Sequence, residues 1–119
     1  MVAVAVWILS IAVIAGAVLA LLHLRATDSA SRPPFAAGIA HGVLGATGLI
    51  ILLLALQGPP RGIEAGAGSF GTVSAWLFAG ALVTGIAIIT LRQKAIVIAI
   101  HAGIAITGYV LLLAWSSVG

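Results

Sequence analysis

The chain has 119 residues, of which 63% are apolar and only 6% are charged, and its formal net charge is +3. A soluble domain carries about 25% charged residues, so the few charges here cannot cover a water-exposed surface, and most of the protein must lie in lipid. The absence of cysteine excludes disulfides and thiolate metal sites, and the few basic residues lie in connections and give no indication of nucleic-acid binding.

Four apolar stretches are long enough to cross a bilayer as helices, since a span needs about 20 residues. They cover residues 2–24, 35–56, 72–91 and 95–115. Strands are excluded because no stretch alternates with a period of two and open strands cannot lie in lipid. The predicted fold is therefore all-α: a single domain over residues 1–119, in which four helices form an up-down-up-down membrane bundle.

The charged residues predict an orientation in the membrane. The first and third connections, 25–34 and 92–94, carry most of the basic side chains, whereas the second connection, 57–71, carries one. The basic side chains of the first and third connections are Arg25, Arg32, Arg92 and Lys94. By the positive-inside rule, these two connections are cytoplasmic and both termini lie outside a bacterial-type cell membrane.

The second and fourth spans repeat a pattern at an offset of sixty residues. "HGVLGATGLIILLLAL" begins at His41 and "HAGIAITGYVLLLAW" begins at His101, and both continue with Thr-Gly and then Leu-Leu at the same spacing. The first and third spans match more weakly, with Gly16 corresponding to Gly85. The pattern indicates a duplicated helix pair whose halves are related by an axis along the membrane normal.

The two matched histidines are the polar residues that most need an explanation. His41 and His101 each lie six or seven residues inside a span, which is about 10 Å from its cytoplasmic end. A titratable side chain at that depth usually faces the bundle interior and has a partner. The stripes through the histidines carry small residues at helical spacing, namely Gly45 and Gly48 in span two and Ala105 and Gly108 in span four.

Spans two and four lie on one diagonal of the predicted bundle, at roughly 12–14 Å if adjacent helices are 8–10 Å apart. Two imidazoles facing inward across that gap can share one metal ion, and haem iron takes axial imidazole ligands. We therefore predict one haem b, with His41 and His101 as iron ligands and the porphyrin between the small residues. Arg25, Arg92 and Lys94 are predicted to contact the propionates. His23 is expected to be interfacial or, alternatively, a propionate partner or an additional ligand.

With these two segments, "HGVLGATG" and "HAGIAITG", the chain resembles the small four-helix membrane b-type cytochromes of the cytochrome b561-like kind. The resemblance is confined to spans two and four. It implies an electron-transfer protein with two haems and four histidine ligands, one pair near each membrane surface. This sequence has no histidine near the outer ends of its spans. A second haem, and electron transfer across the whole membrane, are therefore not expected.

Several alternatives remain open. The histidines can serve packing, by donating to a backbone carbonyl or to Thr47 or Thr107, or they can serve another metal or a proton. A cytochrome is expected to serve electron transfer or haem handling and to bind a quinone or a redox protein. It can act alone, as a homo-oligomer or within a larger complex. The alternatives are a non-catalytic subunit of a respiratory or photosynthetic complex and a small transporter or channel. The last is disfavoured because Asp28 and Glu64 both lie outside the spans.

Three further features predict packing and membrane contacts. Gly38-x-x-x-Gly42 predicts a close helix contact, within the bundle or between copies, and we favour the bundle. Tyr109 is expected to bond a backbone carbonyl or to line a quinone site. The tryptophans lie towards the outer ends of their spans and predict an aromatic belt: Trp7, Trp76 and Trp115.

Overall fold

The structure is a computed structural model that describes residues 1–91 and 95–119. Within those residues the chain forms four long α-helices, as the all-α prediction expected. They are α1 (Val2–Arg25), α2 (Phe35–Ala55), α3 (Phe70–Thr90) and α4 (Ala95–Ser117). A single 3₁₀ turn, Ser29–Ser31, lies in the connection between α1 and α2. Pro34 directly precedes α2 in an extended conformation, as is usual for the residue before a helix start.

Each of the four helices is long and apolar enough to cross a membrane. Their outer faces carry large apolar side chains that are largely exposed, such as Ile14, Val43, Val83 and Ile96. A helix that is apolar on all sides is typical of a membrane span, because its outer face contacts lipid tails. The protein is therefore an integral membrane protein with four candidate spans. The side of the membrane on which each connection lies stays a prediction.

The helices form two antiparallel hairpins that pack side by side. The closest associations are α1 with α2 and α3 with α4, and the hairpins meet through α1 with α4 and α2 with α3. This arrangement places α2 and α4 on one diagonal of the bundle and α1 and α3 on the other. The molecule is elongated, with extents of 51 × 21 × 20 Å. The up-down-up-down bundle predicted from the short connections is confirmed.

The packed core occupies the half of the bundle that bears the two termini. Its largest fully buried side chains are Leu9, Leu52, Leu112 and Ser74. Phe78 and Trp115 complete the cluster around them. The other half, towards the first connection, has no comparable buried cluster among the described residues. The two halves of the bundle therefore differ: one is filled by side chains, and the other contains the cavity described below.

Trp115 does not belong to an aromatic belt. Trp7 and Trp76 are 71% and 76% exposed, as expected for side chains at a membrane surface, but Trp115 is only 3% exposed. Its indole ring packs against α3 at Gly71, where an added methyl group would lie 2.6 Å from Cε2. The Arg61 guanidinium lies over the same ring, at 5.7 Å from its centre. The belt prediction is therefore wrong for Trp115, which joins the second connection to the core.

The two hairpins make corresponding contacts at the offsets seen in the sequence. In the first, Gly48 of α2 faces Leu9 of α1, and an added methyl group would lie 2.6 Å from that leucine. In the second, Gly108 of α4 faces Phe78 of α3, with the equivalent distance at 3.6 Å. Both glycines allow the paired helices of a hairpin to approach closely. The structure thus agrees with a duplicated helix pair.

Candidate functional site

The imidazole rings of His41 and His101 meet in the interior of the bundle, although they lie on diagonal helices. Their ring centres are 6.0 Å apart and their planes are at 85° to each other. Both side chains are half-buried. The rings make no hydrogen bond with each other within the described residues. The structure therefore brings together the two side chains that the sequence repeat singled out.

His101 is held in place by polar groups of α3. Its Nδ1 lies 2.7 Å from the carbonyl oxygen of Ala81 and 3.1 Å from Oγ1 of Thr84. Because a carbonyl oxygen can only accept, Nδ1 carries the proton and donates it to Ala81. Neutral His101 therefore has its lone pair on Nε2. An added methyl group at Gly85 would lie 3.2 Å from Cε1 and 3.6 Å from Nδ1, so this edge of the ring faces α3.

His41 occupies the equivalent place in the first hairpin but lacks the equivalent anchor. Its Nδ1 is buried and has no hydrogen-bond partner. The backbone of Ala12, which corresponds to Ala81 in the repeat, lies nearby without making a hydrogen bond of acceptable geometry. The ring edge rests on α1 at Gly16, where an added methyl group would lie 2.7 Å from Cε1 and 3.2 Å from Nε2. The two histidines thus share a position and differ in their polar contacts.

The threonines expected as partners of the histidines do not contact them. Thr47 Oγ1 donates to the carbonyl of Val43 at 2.8 Å, and Thr107 Oγ1 donates to the carbonyl of Gly103 at 2.7 Å. Both are exposed on the outer faces of their helices. A packing role through these two hydroxyl groups is therefore excluded, although the bond from His101 to a backbone carbonyl agrees with the packing alternative.

A cavity of about 240 Å³ adjoins the histidine pair and is lined by all four helices. A single water molecule needs only about 10–15 Å³ in such a space, so the cavity is much more than a packing defect. It extends from the histidine pair to the end of the bundle near the first connection, where His23 and Pro33 line it. All three histidines of the chain therefore line one cavity, and its other lining residues within 1–91 and 95–119 are apolar.

Glycines of α2 form an open wall of this cavity. Gly38, Gly42 and Gly45 all line it, and a methyl group added to any of them would touch nothing within 4 Å. The contact that was favoured for Gly38 and Gly42, within the bundle, is therefore wrong, because these residues widen the cavity; a contact between copies stays a prediction. In the repeat, Ile98 and Ala105 of α4 correspond to Gly38 and Gly45 of α2. The α4 wall of the cavity therefore carries side chains at the positions where the α2 wall has none.

Other predicted site residues divide between the cavity and the packed core. Gly45, Ala105 and His23 line the cavity. Gly48 and Gly108 do not line it, because the space beside them is occupied by side chains of α1 and α3 and both are buried. Small residues on one stripe thus serve two purposes, which spacing alone cannot separate: some open a space, and others admit a neighbouring helix.

The predicted propionate contacts find little support. Arg25 is the last residue of α1 and is exposed, two residues beyond His23, and it does not line the cavity. Arg92 and Lys94 lie outside the residues that the structure describes. His23, by contrast, is half-buried at the cavity mouth.

Three contributors to the site were missed by the sequence analysis, namely Thr84, Gly16 and Gly85. The match between Gly16 and Gly85 at the repeat offset was a signal, since each glycine seats one imidazole. Thr84 gave a weaker signal: it is a hydroxyl-bearing residue in span three, near the level of the histidines. Its bond to the carbonyls of its own helix, at 3.0 Å, could not be distinguished in advance from a contact across helices.

The side chains that could bind a metal are few. In residues 1–91 and 95–119 no group of three or more His, Cys, Asp or Glu side chains comes together. Asp28 lies in the connection between α1 and α2 and Glu64 in the connection between α2 and α3, and both are exposed. The site therefore offers two imidazoles on an apolar cavity, and a metal held by four protein side chains does not fit it.

Comparison of the chain with known protein families, curated proteins and solved structures gave no match. The fold and the site therefore rest on the chain itself. What they establish is a small four-span membrane protein with a histidine-lined cavity in one half of its bundle.

Proposed function

We propose that the protein is a membrane b-type haem protein that binds one haem with His41 and His101 as axial ligands. The observation that carries the proposal is the distance of 6.0 Å between the two ring centres. Two metal–imidazole bonds of about 2.0–2.1 Å each place the ring centres on opposite sides of one metal ion roughly 6 Å apart, because each nitrogen lies on the rim of its own ring.

The donor set also suits haem better than a bare metal ion. A porphyrin supplies the equatorial nitrogen ligands of its iron, so the protein needs to provide only two axial groups. His101 has the arrangement usual for a metal-binding histidine, since its Nδ1–H donates to a carbonyl and its Nε2 is left with the lone pair.

The cavity supports a flat apolar ligand beside the histidine pair. Its open wall of Gly38, Gly42 and Gly45 gives the edge of a ring close access to the α2 backbone. Its volume of about 240 Å³ lies below the roughly 300–1,000 Å³ of small-molecule sites, so we expect the bundle to widen at this level when haem binds. His23, which lines the cavity at its mouth, would be a polar partner for a propionate.

Bound haem supplies one-electron chemistry, and the chain supplies its environment. His41 and His101 would hold the haem, and the apolar lining would exclude water and tune the reduction potential through burial. The partner would be a quinone or a redox protein that reaches the mouth end of the cavity. The resemblance to the cytochrome b561-like proteins belongs to this proposal, without a second haem.

The test is expression in a host supplied with haem precursor, followed by purification in detergent and an absorption spectrum. We expect a reduced-minus-oxidised spectrum of b type with one haem per chain, and the double variant H41A/H101A should lack it. The matched controls are T47A and T107A, which remove polar groups from the same two helices without touching the cavity. They should keep the spectrum.

Two outcomes would overturn the proposal. The first is a colourless wild-type protein that stays folded and does not take up added haem. The second is a double variant that keeps the wild-type spectrum, because the haem would then be held by other residues. Co-purification of a colourless protein with stoichiometric partner chains would instead support the subunit alternative.

A further inference from the structure

We infer that the two histidines are unequal ligands, with His101 the permanent one and His41 the exchangeable one, so that a small neutral lone-pair donor can take the place of His41. This inference rests on the proposed function and deepens it. It assigns to the His41 side of the site a binding position for ligands of the size of carbon monoxide or imidazole.

The first argument is the difference in hydrogen bonding. The Nδ1–H of His101 donates to the Ala81 carbonyl at 2.7 Å, whereas Nδ1 of His41 has no partner. A hydrogen bond on the far nitrogen fixes the tautomer and orientation of a metal-binding histidine and raises its basicity. His101 therefore presents a prepared lone pair on Nε2. His41 lacks this bond on its Nδ1, so it is the weaker ligand.

The second argument is independent of hydrogen bonds and concerns the space around each ring. One turn before and one turn after His41, α2 has Gly38 and Gly45, and a methyl group at either would meet nothing within 4 Å. The equivalent residues around His101 are Ile98 and Ala105, which carry side chains. The α2 backbone therefore leaves open space on both sides of the His41 ring, whereas α4 carries a side chain at each of the corresponding positions around His101.

The direction in which the His41 ring can move is restricted. The His41 ring already touches α1 at Gly16, where an added methyl group would lie only 2.7 Å from Cε1, so the ring cannot move towards α1. In the second hairpin, a methyl group added at Gly85 would lie 3.2 Å from Cε1 of His101. Open space for movement of His41 lies in the cavity beside the three glycines of α2.

The exchange is a simple substitution. With haem bound as proposed, His41 would give up its bond to the metal, and the incoming ligand would form a bond with its own lone pair. No electron would be transferred, and His101 would stay bound. Apart from the histidines, the described residues that line the cavity are apolar and offer no positive charge to an anion, so neutral donors would be favoured at reduced haem, whose core is uncharged.

The experiment compares the purified single variants H41A and H101A. We expect H41A to keep haem in a five-coordinate form that binds carbon monoxide, and added imidazole to restore a six-coordinate spectrum. H101A should retain haem roughly tenfold less well or worse, since it loses the oriented ligand. Haem content, spin state and carbon monoxide binding are the readouts. Equal losses in the two variants, or better retention by H101A, would overturn the inference.

A second pair of variants decides the question if H101A does not accumulate. The variant G16A forces the His41 ring away from α1 without removing it, so it should create the form that binds carbon monoxide. The variant G85A is its matched control and should leave His101 bound. Carbon monoxide binding that is equal in the two variants, or greater in G85A, contradicts the inference.

The two proposals fail in different ways. A wild-type protein without haem removes the proposed function and this inference together. A wild-type protein with a six-coordinate b-type spectrum whose two histidine variants behave alike removes the inference and leaves the proposed function in place.

Discussion

The hydroxyl groups of Ser10 and Tyr109 lie 2.6 Å apart and join α1 to α4. Ser10 also donates to the carbonyl of Val6 at 2.7 Å, so its oxygen accepts the proton of the tyrosine. Tyr109 therefore bonds a side chain, where the sequence analysis expected a backbone carbonyl or a quinone site. In the repeat, Leu49 and Ala79 stand in the corresponding places, so only one of the two interfaces between hairpins has this polar link.

Removal of this link should weaken the association of the hairpins. We expect Y109F to lower the free energy of unfolding by about 0.6 kcal/mol and by no more than about 1.7 kcal/mol, the range measured for hydrogen bonds between membrane helices. Unfolding in mixed detergent micelles, followed by circular dichroism, measures it. The control is Thr107→Val, which removes a hydroxyl group that bonds only its own helix. Equal effects of the two changes would show that the link contributes nothing specific.

Glycines that are alike in sequence should respond differently to the same substitution. An alanine at Gly48 would place its methyl group 2.6 Å from the buried Leu9 side chain, so G48A should cost about 1–3 kcal/mol of stability through overpacking. At Gly103 the added methyl group meets nothing, and G103A should gain up to about 1 kcal/mol from helix propensity. Thermal unfolding of both variants tests this. A stable G48A would mean that the hairpin is less tightly packed there than the structure shows.

The four spans could be predicted because apolar length and connection length are local properties of the sequence. The pairing of His41 with His101 was predictable for a similar reason, since the repeat gives both residues the same depth and helix face. The functions of the small residues were not predictable. Gly45 and Gly48 lie on the same stripe, but one opens the cavity and the other seats Leu9, and only the position of α1 decides between them.

Long-range contacts explain the remaining errors. Trp115 has the position of a belt residue in its own helix, and its burial depends on Gly71 of α3 and on Arg61 of the second connection. Arg61 itself donates from Nη2 to the carbonyl of Ser116 at 3.1 Å, near the end of α4. Hydropathy and spacing hold no information about such contacts between distant segments, so the sequence could predict only the outward orientation that is commonest at a span end.

The connection between α1 and α2 should lose its order in acid. The pKa of Asp28 lies below its usual 3.8, mainly because the hydroxyl group of Ser31 donates to its carboxylate, at 2.8 Å, with a further bond from the Ser31 amide at 2.9 Å. Since the pKa is lower in the folded state, the stabilisation is fully present above about pH 3.8 and is lost as the pH falls through the lower folded value.

Hydrogen exchange at the Ser31 amide measures this effect. We expect the amide to be protected from exchange at neutral pH and this protection to decrease below about pH 3.8, after correction for the intrinsic pH dependence of exchange. The variant D28A should lack the protection at every pH. The variant E64A alters an exposed acid in the connection between α2 and α3, and it should leave the protection unchanged. Protection that is independent of pH in the wild-type protein would assign the order of the turn to its backbone alone.

A side chain that fills the cavity should abolish haem binding without lowering the stability of the fold. Gly45 and Gly103 both have open space where a side chain would begin, but Gly45 lines the cavity and Gly103 is exposed on the outer face of α4. The change to leucine is the same at both positions, and each gains a similar helix propensity. The variant G45L should therefore stay as stable as the wild-type protein, or become more stable as the leucine gains buried contacts. It should lose the proposed haem, because its side chain would occupy the place proposed for the porphyrin edge. The variant G103L should keep haem, and its leucine should face lipid.

Two measurements on one preparation of each variant test this prediction. The ratio of haem absorbance to protein gives the haem content, and thermal unfolding gives the stability. A G45L protein that is stable and fully loaded with haem would show that the ligand does not lie against α2, and the placement of the site would have to move to the other side of the histidine pair.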